Sequence, residues 1–181
     1  MNRMRETKTA IDDPGPAPED FWARLAPCRH GLHAFVRKAL NYSEDADDVF
    51  QETVERACRY FHAYDPALAF RAWIYSIASN EVKRHYRRQR GAPGELPDER
   101  ELGFAGAGLT AGELAQAREL HRLVMELRPD WREVFLLRYQ DGFNATEVAA
   151  ITGRSHVNVR YMLFRARRRV RELLGEDHEP S

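Results

Sequence analysis

Apolar residues recur at helical spacing along most of the chain, and the alternating β-branched runs that typify strands do not occur. The regularity is clearest near the C-terminus, where apolar residues follow one another at spacings of four, three, four and three: Val159, Leu163, Ala166, Val170 and Leu173. Such spacing gives a helix one continuous apolar face, which packs on a core. The pattern predicts an all-α fold.

Two segments rich in glycine and proline interrupt the helical pattern. The first follows a polar N-terminus and reads A-I-D-D-P-G-P-A-P, and the second holds six glycines and two prolines between Gly91 and Gly112. Neither composition suits a helix interior or a packed strand. We therefore predict two small helical domains between flexible segments: a disordered tail at 1–18, a first domain at 19–90, a linker at 91–112, a second domain at 113–175 and a tail at 176–181.

The second domain should begin with a helix and a proline break. Its apolar stripe consists of Leu114, Ala117, Leu120, Val124 and Leu127. Pro129 then interrupts the chain, and we expect Asp130 to cap the next helix, with Glu133 completing a capping box.

The rest of the second domain predicts a helix-turn-helix. Asn144 and Glu147 have the spacing of a capping box before a short helix, and Gly153 suits the left-handed turn that would end it. Ser155 can cap the long final helix. A short capped helix, a glycine turn and a long helix are the layout of a DNA-binding helix-turn-helix.

Charge is balanced overall but strongly segregated. Lys+Arg and Asp+Glu both number 28, so the formal net charge is zero and only the position of charges can indicate a partner. Seven arginines fall between Arg154 and Arg171. The polar residues that lie largely off the apolar stripe are Ser155, His156, Asn158, Arg160, Tyr161, Arg165, Arg167 and Arg168. Such a face can be solvated surface, but after a capped helix and a glycine turn it favours DNA binding, with its N-terminal end in the major groove.

The first domain contains two opposed charge blocks. Residues 44–55 hold six carboxylates and no basic residue, while Val49, Thr53, Ala57 and Phe61 can face a core. Acidic stripes of this kind occur as solvated surface, as a divalent-metal site or as a dock for a basic protein. Residues 83–90 hold five positive charges and a histidine directly after an aromatic segment. Rings beside cations suit single-stranded nucleic acid, although Trp73, Ile74 and Ile77 have the spacing of core residues.

Other classes of function find little support in the sequence. Cys28, His30 and His33 lack a fourth ligand at a spacing that a zinc site needs, so we expect neither a metal nor another cofactor. The P-loop, H-E-x-x-H and G-x-S-x-G motifs do not occur. Because the N-terminus is polar and no run of eighteen apolar residues occurs, we expect a reduced, cytoplasmic protein without membrane contact of its own.

Three blocks together resemble bacterial sigma factors of the extracytoplasmic-function group, within the sigma-70 superfamily. They are Y-S-E-D-A-D-D-V-F-Q-E-T-V-E-R-A at 42–57, F-R-A-W-I-Y-S-I-A-S-N at 70–80, and the segment from L-R-P-D-W-R-E to R-E-L-L at 127–174. They occur in the family's order, and the resemblance runs from Phe21 to Leu174. The resemblance implies a transcription initiation factor without catalysis of its own, with core RNA polymerase and promoter DNA as partners and often an anti-sigma factor.

The resemblance also assigns roles to residues. The acidic helix would dock on the coiled coil of the largest polymerase subunit through Asp45, Asp48, Gln51 and Glu52. The first domain would bind and melt the −10 element, holding a flipped base in a loop at 62–69; the expected contacts are Tyr64, Asp65, Leu68, Asn80, Lys83, Arg84, Arg87 and Arg88. The second domain would bind the −35 element through Arg154, Ser155, His156, Asn158, Arg160, Tyr161, Arg165, Arg167 and Arg168.

Several positions depart from the family pattern. Arg84 stands where many relatives have an acidic or amide residue, and the −35 helix differs at Arg154, Asn158, Tyr161 and Met162. Met162 cannot make the guanine or phosphate contact of an arginine, whereas Asn158 can pair with adenine. The promoter sequence therefore does not follow from the resemblance.

Two other classes of protein stay open on the residues alone. A transcription regulator with a sensory or dimerising first domain would bind duplex DNA by itself, usually as a symmetric dimer. A metal-dependent nucleic-acid enzyme would use Asp45, Asp47, Asp48 and Glu52 and would require magnesium.

Overall fold

The computed structural model describes residues 19–89 and 111–174, without the side chains of residues 111, 113 and 114. Both predicted tails, nearly all of the predicted linker and the side chain of Leu114 lie outside the described residues. The described ranges form seven α-helices: α1 (Glu19–Ala39), α2 (Ala46–Arg59), α3 (Phe70–Gln89), α4 (Ala111–Met125), α5 (Pro129–Phe135), α6 (Ala145–Thr152) and α7 (His156–Leu174). A 3-10 turn occupies Phe61–Ala63, a π-helical turn occupies Leu136–Gln140, and these ranges contain no strand. The all-α prediction is confirmed.

The first three helices pack around a common apolar core. The inward face of α2 is the predicted one, because Val49, Thr53 and Ala57 are buried and Phe61 packs partly against the core. The hydroxyl of Thr53 donates to the Val49 carbonyl oxygen at 2.8 Å, so this polar group is satisfied inside the core. The opposite face of α2 is thereby left for its carboxylates.

Helices α4 to α7 form a second bundle. Val124 and Leu127 are buried as predicted, whereas Leu120 is 45% exposed and Leu123 is fully buried. The prediction for Leu120 is wrong. Within the described residues, other helices cover this face of α4 only along its C-terminal turns, and Leu120 lies before them. The periodicity identified the apolar face correctly but not how far along the helix it is covered.

The start of α5 also differs from the prediction. Pro129 is the first helical residue, the residue before it is Arg128, and no side chain caps this end. Proline suits this position because its fixed φ matches the helix and its missing N–H would have no helical partner there. Asp130 therefore lies inside the first turn, and Glu133 is buried instead of completing a capping box.

The two bundles contact each other directly. Helix α3 packs against α6, and α1 packs against α5 and the π-helical turn. The rings of Tyr75 and Phe143 meet edge to face with centroids 5.0 Å apart, and Lys38 donates to the Gln140 side-chain oxygen at 2.5 Å. A Cβ atom on Gly31 would lie 3.0 Å from the Tyr75 hydroxyl oxygen, so glycine permits close packing here. Among the described helices, none is long and apolar enough to cross a bilayer.

Candidate nucleic-acid interface

The helix-turn-helix has the predicted caps. The Asn144 side-chain oxygen accepts from the backbone N–H groups of Thr146 and Glu147 at 2.9 and 3.0 Å, and a Glu147 carboxylate oxygen accepts from the Asn144 N–H at 2.7 Å. Gly153 has a φ of 65°, in the left-handed region that favours glycine. The Ser155 hydroxyl accepts from the Asn158 N–H at 3.2 Å at the start of α7. The capping box thus begins α6, and Gly153 and Ser155 form the turn that leads from α6 into α7.

Removing the capping box should destabilise the second domain measurably. We expect Asn144→Ala to lower the free energy of unfolding by about 1 kcal/mol, because two backbone donors lose their acceptor. Urea unfolding of the full chain measures this loss. Asn144→Asp, which keeps an acceptor at the same place, is the matched control and should stay close to the wild type. An equal loss in both variants would show that the cap contributes little.

Helix α7 separates an apolar face from a polar one. Val159, Met162, Leu163, Ala166 and Val170 are buried. Met162 is therefore a core residue, which explains why this position carries no polar group. The exposed polar residues at the N-terminal half are Ser155, His156, Asn158, Arg160 and Tyr161, and the apolar side chains of Val157 and Phe164 are exposed as well. The N-terminal turns thus present an amide, hydroxyls and a guanidinium to solvent, as base readout requires.

The C-terminal half of α7 is basic but partly paired. Arg165 lies over the Trp131 ring at 5.5 Å and over the Tyr161 ring at 6.0 Å. Arg168 pairs with Glu172 at 2.9 Å, whereas Arg167 is exposed. Stacking and pairing of this kind hold the guanidinium groups in place, which suits phosphate contacts more than base readout.

The basic end of α3 is exposed beside Asn80. Arg87 and Arg88 are exposed, and Arg88 pairs with Glu52 of α2 at 3.3 Å. Arg84 pairs with the buried Glu81 at 3.3 Å, and Arg56 reaches the same carboxylate at 2.6 Å. The structure thus accounts for Arg84: it helps to neutralise a buried carboxylate on its own helix.

In the loop before α3, Tyr64 is buried, whereas we expected it to contact the −10 element. Tyr64 is only 8% exposed, and its hydroxyl donates to the Leu68 carbonyl oxygen at 2.6 Å. Its ring packs against Phe70 and Trp73. Leu68 is 58% exposed, and an Asp65 carboxylate oxygen accepts from the Ala67 N–H at 2.9 Å. Tyr64 therefore shapes the loop from inside, whereas Asp65 and Leu68 are among its exposed residues.

The acidic face of α2 lies next to the basic end of α3. Asp48 is exposed, and Gln51 donates to Glu55 at 3.1 Å. Asp45 lies 3.8 Å from His85 of α3. Burial lowers the pKa of His85, while Asp45 acts in the opposite direction. The acidic block and the basic block are thus joined by the Glu52–Arg88 ion pair and by the Asp45–His85 contact, and Asp48 is exposed on the acidic face.

Besides Glu81, two buried carboxylates lie at the contact between the two bundles, and the sequence analysis did not identify them as a site. Glu133 accepts from the Ser79 hydroxyl at 2.5 Å and lies 3.8 Å from the Lys83 ammonium and 3.5 Å from the Arg154 guanidinium. Burial raises the pKa of Glu133, and Lys83 opposes that rise. No local pattern could reveal the contact, because Ser79 and Glu133 are 54 residues apart.

Asp141 is the second buried carboxylate. It accepts from the Tyr75 hydroxyl at 2.8 Å and lies 3.7 Å from the Arg71 guanidinium, both on the first bundle. Burial raises the pKa of Asp141 to about 6, although the Tyr75 hydroxyl and Arg71 lower it. Both carboxylates thus lie on the second bundle and meet donors of α3.

A buried histidine gives the fold a testable response to acid. His121 is 6% exposed, and burial together with the charges of Lys38 and Arg132 lowers its pKa from 6.5 to about 4. Because the folded state favours the neutral ring, stability present above pH 6.5 is lost as the pH falls from 6.5 towards 4. We expect wild type to lose up to about 3 kcal/mol more than His121→Gln over this interval. Urea unfolding at pH 7 and pH 4.5 measures the difference; parallel losses would contradict the account.

Within the described residues, no group of three or more potential ligands is arranged to hold a metal ion. The Nε2 atom of His33 instead lies 2.7 Å from an Asp47 carboxylate oxygen.

Fold and surface chemistry together define a two-domain helical DNA-binding protein whose second domain carries a helix-turn-helix.

Comparison with known families places the chain within that class. The sigma-70 region 2 family matches residues 27–92, and the sigma-70 region 4 family matches residues 117–170. The RNA polymerase sigma factor CarQ of Myxococcus xanthus is 30% identical over 158 residues, which cover 87% of this chain and 89% of CarQ. The RNA polymerase sigma factor CnrH of Cupriavidus metallidurans is 32% identical over 166 residues, which cover 83% of this chain and 85% of CnrH. The chain belongs to the extracytoplasmic-function group of the sigma-70 family.

A solved structure supports the same placement. The sigma factor RpoE from Bartonella quintana, in complex with the anti-sigma factor NepR, is 25% identical and matches with a TM-score of 0.72. The match covers 88% of this chain and 99% of RpoE, so it includes both domains. A score of that size over both domains requires that they be placed similarly relative to each other.

Proposed function

We propose that this chain directs core RNA polymerase to promoters, with docking, −10 recognition and −35 recognition on separate surfaces. The observation that carries the proposal is the exposed polar face of α7, held behind a capped α6 and a left-handed glycine turn. That geometry presents one helix to a major groove. The chain supplies recognition and strand opening and performs no catalytic step, and it acts in the cytoplasm, where core polymerase transcribes.

Docking on core polymerase is assigned to the acidic face of α2. Asp48 supplies an exposed carboxylate, and Asp45, Gln51 and Glu52 extend the polar face around it. A surface of this charge complements a basic helical partner and speeds its association. Glu52 also pairs with Arg88, so docking and −10 binding use adjacent side chains.

Recognition of the −10 element is assigned to the loop and the exposed side of α3. Asp65 and Leu68 line the loop that would receive a flipped base, and Tyr64 supports that loop from within. Extruding a base costs a few kcal/mol, so a protein site that binds it outside the stack favours melting. Asn80 would contact bases, and the basic residues Lys83, Arg84, Arg87 and Arg88 would follow the backbone.

Recognition of the −35 element is assigned to α7 and the turn before it. Asn158 and Arg160 are the exposed groups that can read base edges, because an amide pairs with adenine and a guanidinium with guanine. The other residues that we assign to the −35 surface would contact phosphates or sugars: Arg154, Ser155, His156, Tyr161, Arg165, Arg167 and Arg168.

Regulation by an anti-sigma factor is part of the proposal. RpoE, whose two domains are placed similarly, was solved with such a partner. We infer that a protein of this class binds the present chain as well.

Binding to core polymerase tests the proposal directly. We expect the purified chain to form a one-to-one complex with bacterial core polymerase in size-exclusion chromatography, and the complex to bind promoter DNA more tightly than the free chain. A chain that stays separate from core polymerase and binds duplex DNA as a symmetric dimer would instead be a transcription regulator.

A further inference from the structure

A line of apolar side chains runs along the middle of the exposed face of α7. Val157 is 78% exposed, the largest exposed fraction of any large apolar side chain within the described residues, and Tyr161 and Phe164 are 56% and 53% exposed. Because spacings of four and three keep residues on one side of a helix, these three side chains form one apolar line. The line lies opposite the buried residues of α7, so it does not serve the core of the second domain.

Polar residues flank the apolar line on both sides. Since each residue turns a helix by about 100°, Arg160 and Arg167 lie on one side of the line. Asn158 and Arg165 lie on the other side, and the Arg165 guanidinium is 6.0 Å from the centroid of the Tyr161 ring. A polyanion matches these cations, whereas an apolar protein groove would remove them from water without a partner. The charges around the apolar line therefore favour DNA as its occupant.

The major groove offers apolar side chains one chemically matched target. Thymine is the base that carries a methyl group on its major-groove edge, and apolar side chains contact that group. Val157 is the second residue of α7, at the end of a recognition helix that reaches the bases. From Val157 to Phe164 the helix rises about 10 Å, which matches about three base pairs at about 3.4 Å each.

We propose that the apolar line reads thymines through their 5-methyl groups, with Val157 as the main contact. The upstream element should then contain at least one thymine, on either strand, among the base pairs that α7 faces. Calling that element the −35 element rests on the proposed function, whereas the methyl contact requires only that α7 enter a major groove. Tyr161 packs its ring on this line and keeps its hydroxyl for the sugar–phosphate contact assigned above.

Replacing thymine by uracil tests the contact, because it removes the methyl group and leaves base pairing unchanged. The full chain, free and in complex with core polymerase, is incubated with random-sequence 30-base-pair duplexes. The enriched duplex is then resynthesised with uracil in place of one thymine at a time. We expect uracil at one or more positions of the upstream element to weaken binding about fourfold, the effect of losing one buried methyl-sized group.

Val157→Ala identifies the side chain that makes the contact. This variant should bind the thymine duplex about fourfold more weakly and should lose most of its sensitivity to uracil at one position, since the two changes remove the same contact. Alanine is a good helix former and Val157 is exposed, so we expect the variant to fold. Leu120→Ala is the matched control, because it removes an exposed apolar side chain from α4 and should keep the full sensitivity to uracil.

Three results would overturn the methyl contact: equal affinity of the wild type for thymine and uracil at every position, equal sensitivity to uracil in wild type and Val157→Ala, or enrichment of no sequence. Weaker binding of Val157→Ala to core polymerase, with its sensitivity to uracil unchanged, would make the apolar line a protein contact instead. A methyl-sensitive chain that does not bind core polymerase would support the methyl contact and contradict the proposed function.

Discussion

Asp48→Arg is expected to lower the affinity for core RNA polymerase by about a hundredfold or more, as the loss of a central interface charge does. Asp48 is an exposed carboxylate on the outer side of the acidic face of α2, whereas Glu52 is paired with Arg88. An arginine there would meet a basic partner with like charge. The affinity can be measured by competition for labelled core polymerase.

The variant also tests whether the domains act separately. Because Asp48 is remote from the residues that pack α7, duplex binding by the free chain should stay unchanged. Glu119→Arg makes the same charge change at an exposed position on α4 and should leave polymerase affinity unchanged. Undiminished binding of Asp48→Arg to core polymerase would refute the docking assignment.

Asn80→Ala and Arg160→Ala should produce different transcription defects. On duplex promoters, Asn80→Ala should slow strand opening roughly tenfold, because each 1.4 kcal/mol of lost stabilisation is a factor of ten. Arg160→Ala should weaken promoter binding by roughly 10- to 100-fold through the loss of a base contact. The two rates can be separated by titrating promoter DNA in a single-round transcription assay.

Pre-melted promoters distinguish the two roles. When the −10 region is already open, Asn80→Ala should recover most of its activity, whereas Arg160→Ala should keep its defect. Arg118→Ala, at an exposed position of α4, controls for the loss of a cation. The same residual defect in both variants on pre-melted DNA would contradict the division between the −10 and −35 surfaces.

Local sequence patterns predicted the features that depend on residues close together in the sequence. The capping box of Asn144 and Glu147, the left-handed Gly153 and the Ser155 cap each depend on residues within a few positions of one another. The inward face of α2 followed from spacing alone, because a helix rotates by a fixed angle at each residue.

Features that depend on distant packing were not predictable in the same way. Glu133 has the spacing of a capping residue, but the helix begins at Pro129. The Glu133 carboxylate instead accepts a hydrogen bond from Ser79 of the other domain. Tyr64 looked like a surface contact, but neighbouring rings enclose it. Leu120 shares the spacing of a core residue, yet its turn of α4 is not covered within the described part of the chain. Spacing fixes a direction around a helix, whereas burial depends on what lies there.

Run-off transcription with bacterial core polymerase shows whether the chain acts as a sigma factor. The template is a pool of upstream fragments from the source genome, transcribed with and without the chain. We expect transcripts that depend on the chain and on Asp48, and that share two upstream elements, one for each DNA-binding domain. No chain-dependent transcripts, together with duplex binding by a free dimer, would contradict the proposed function.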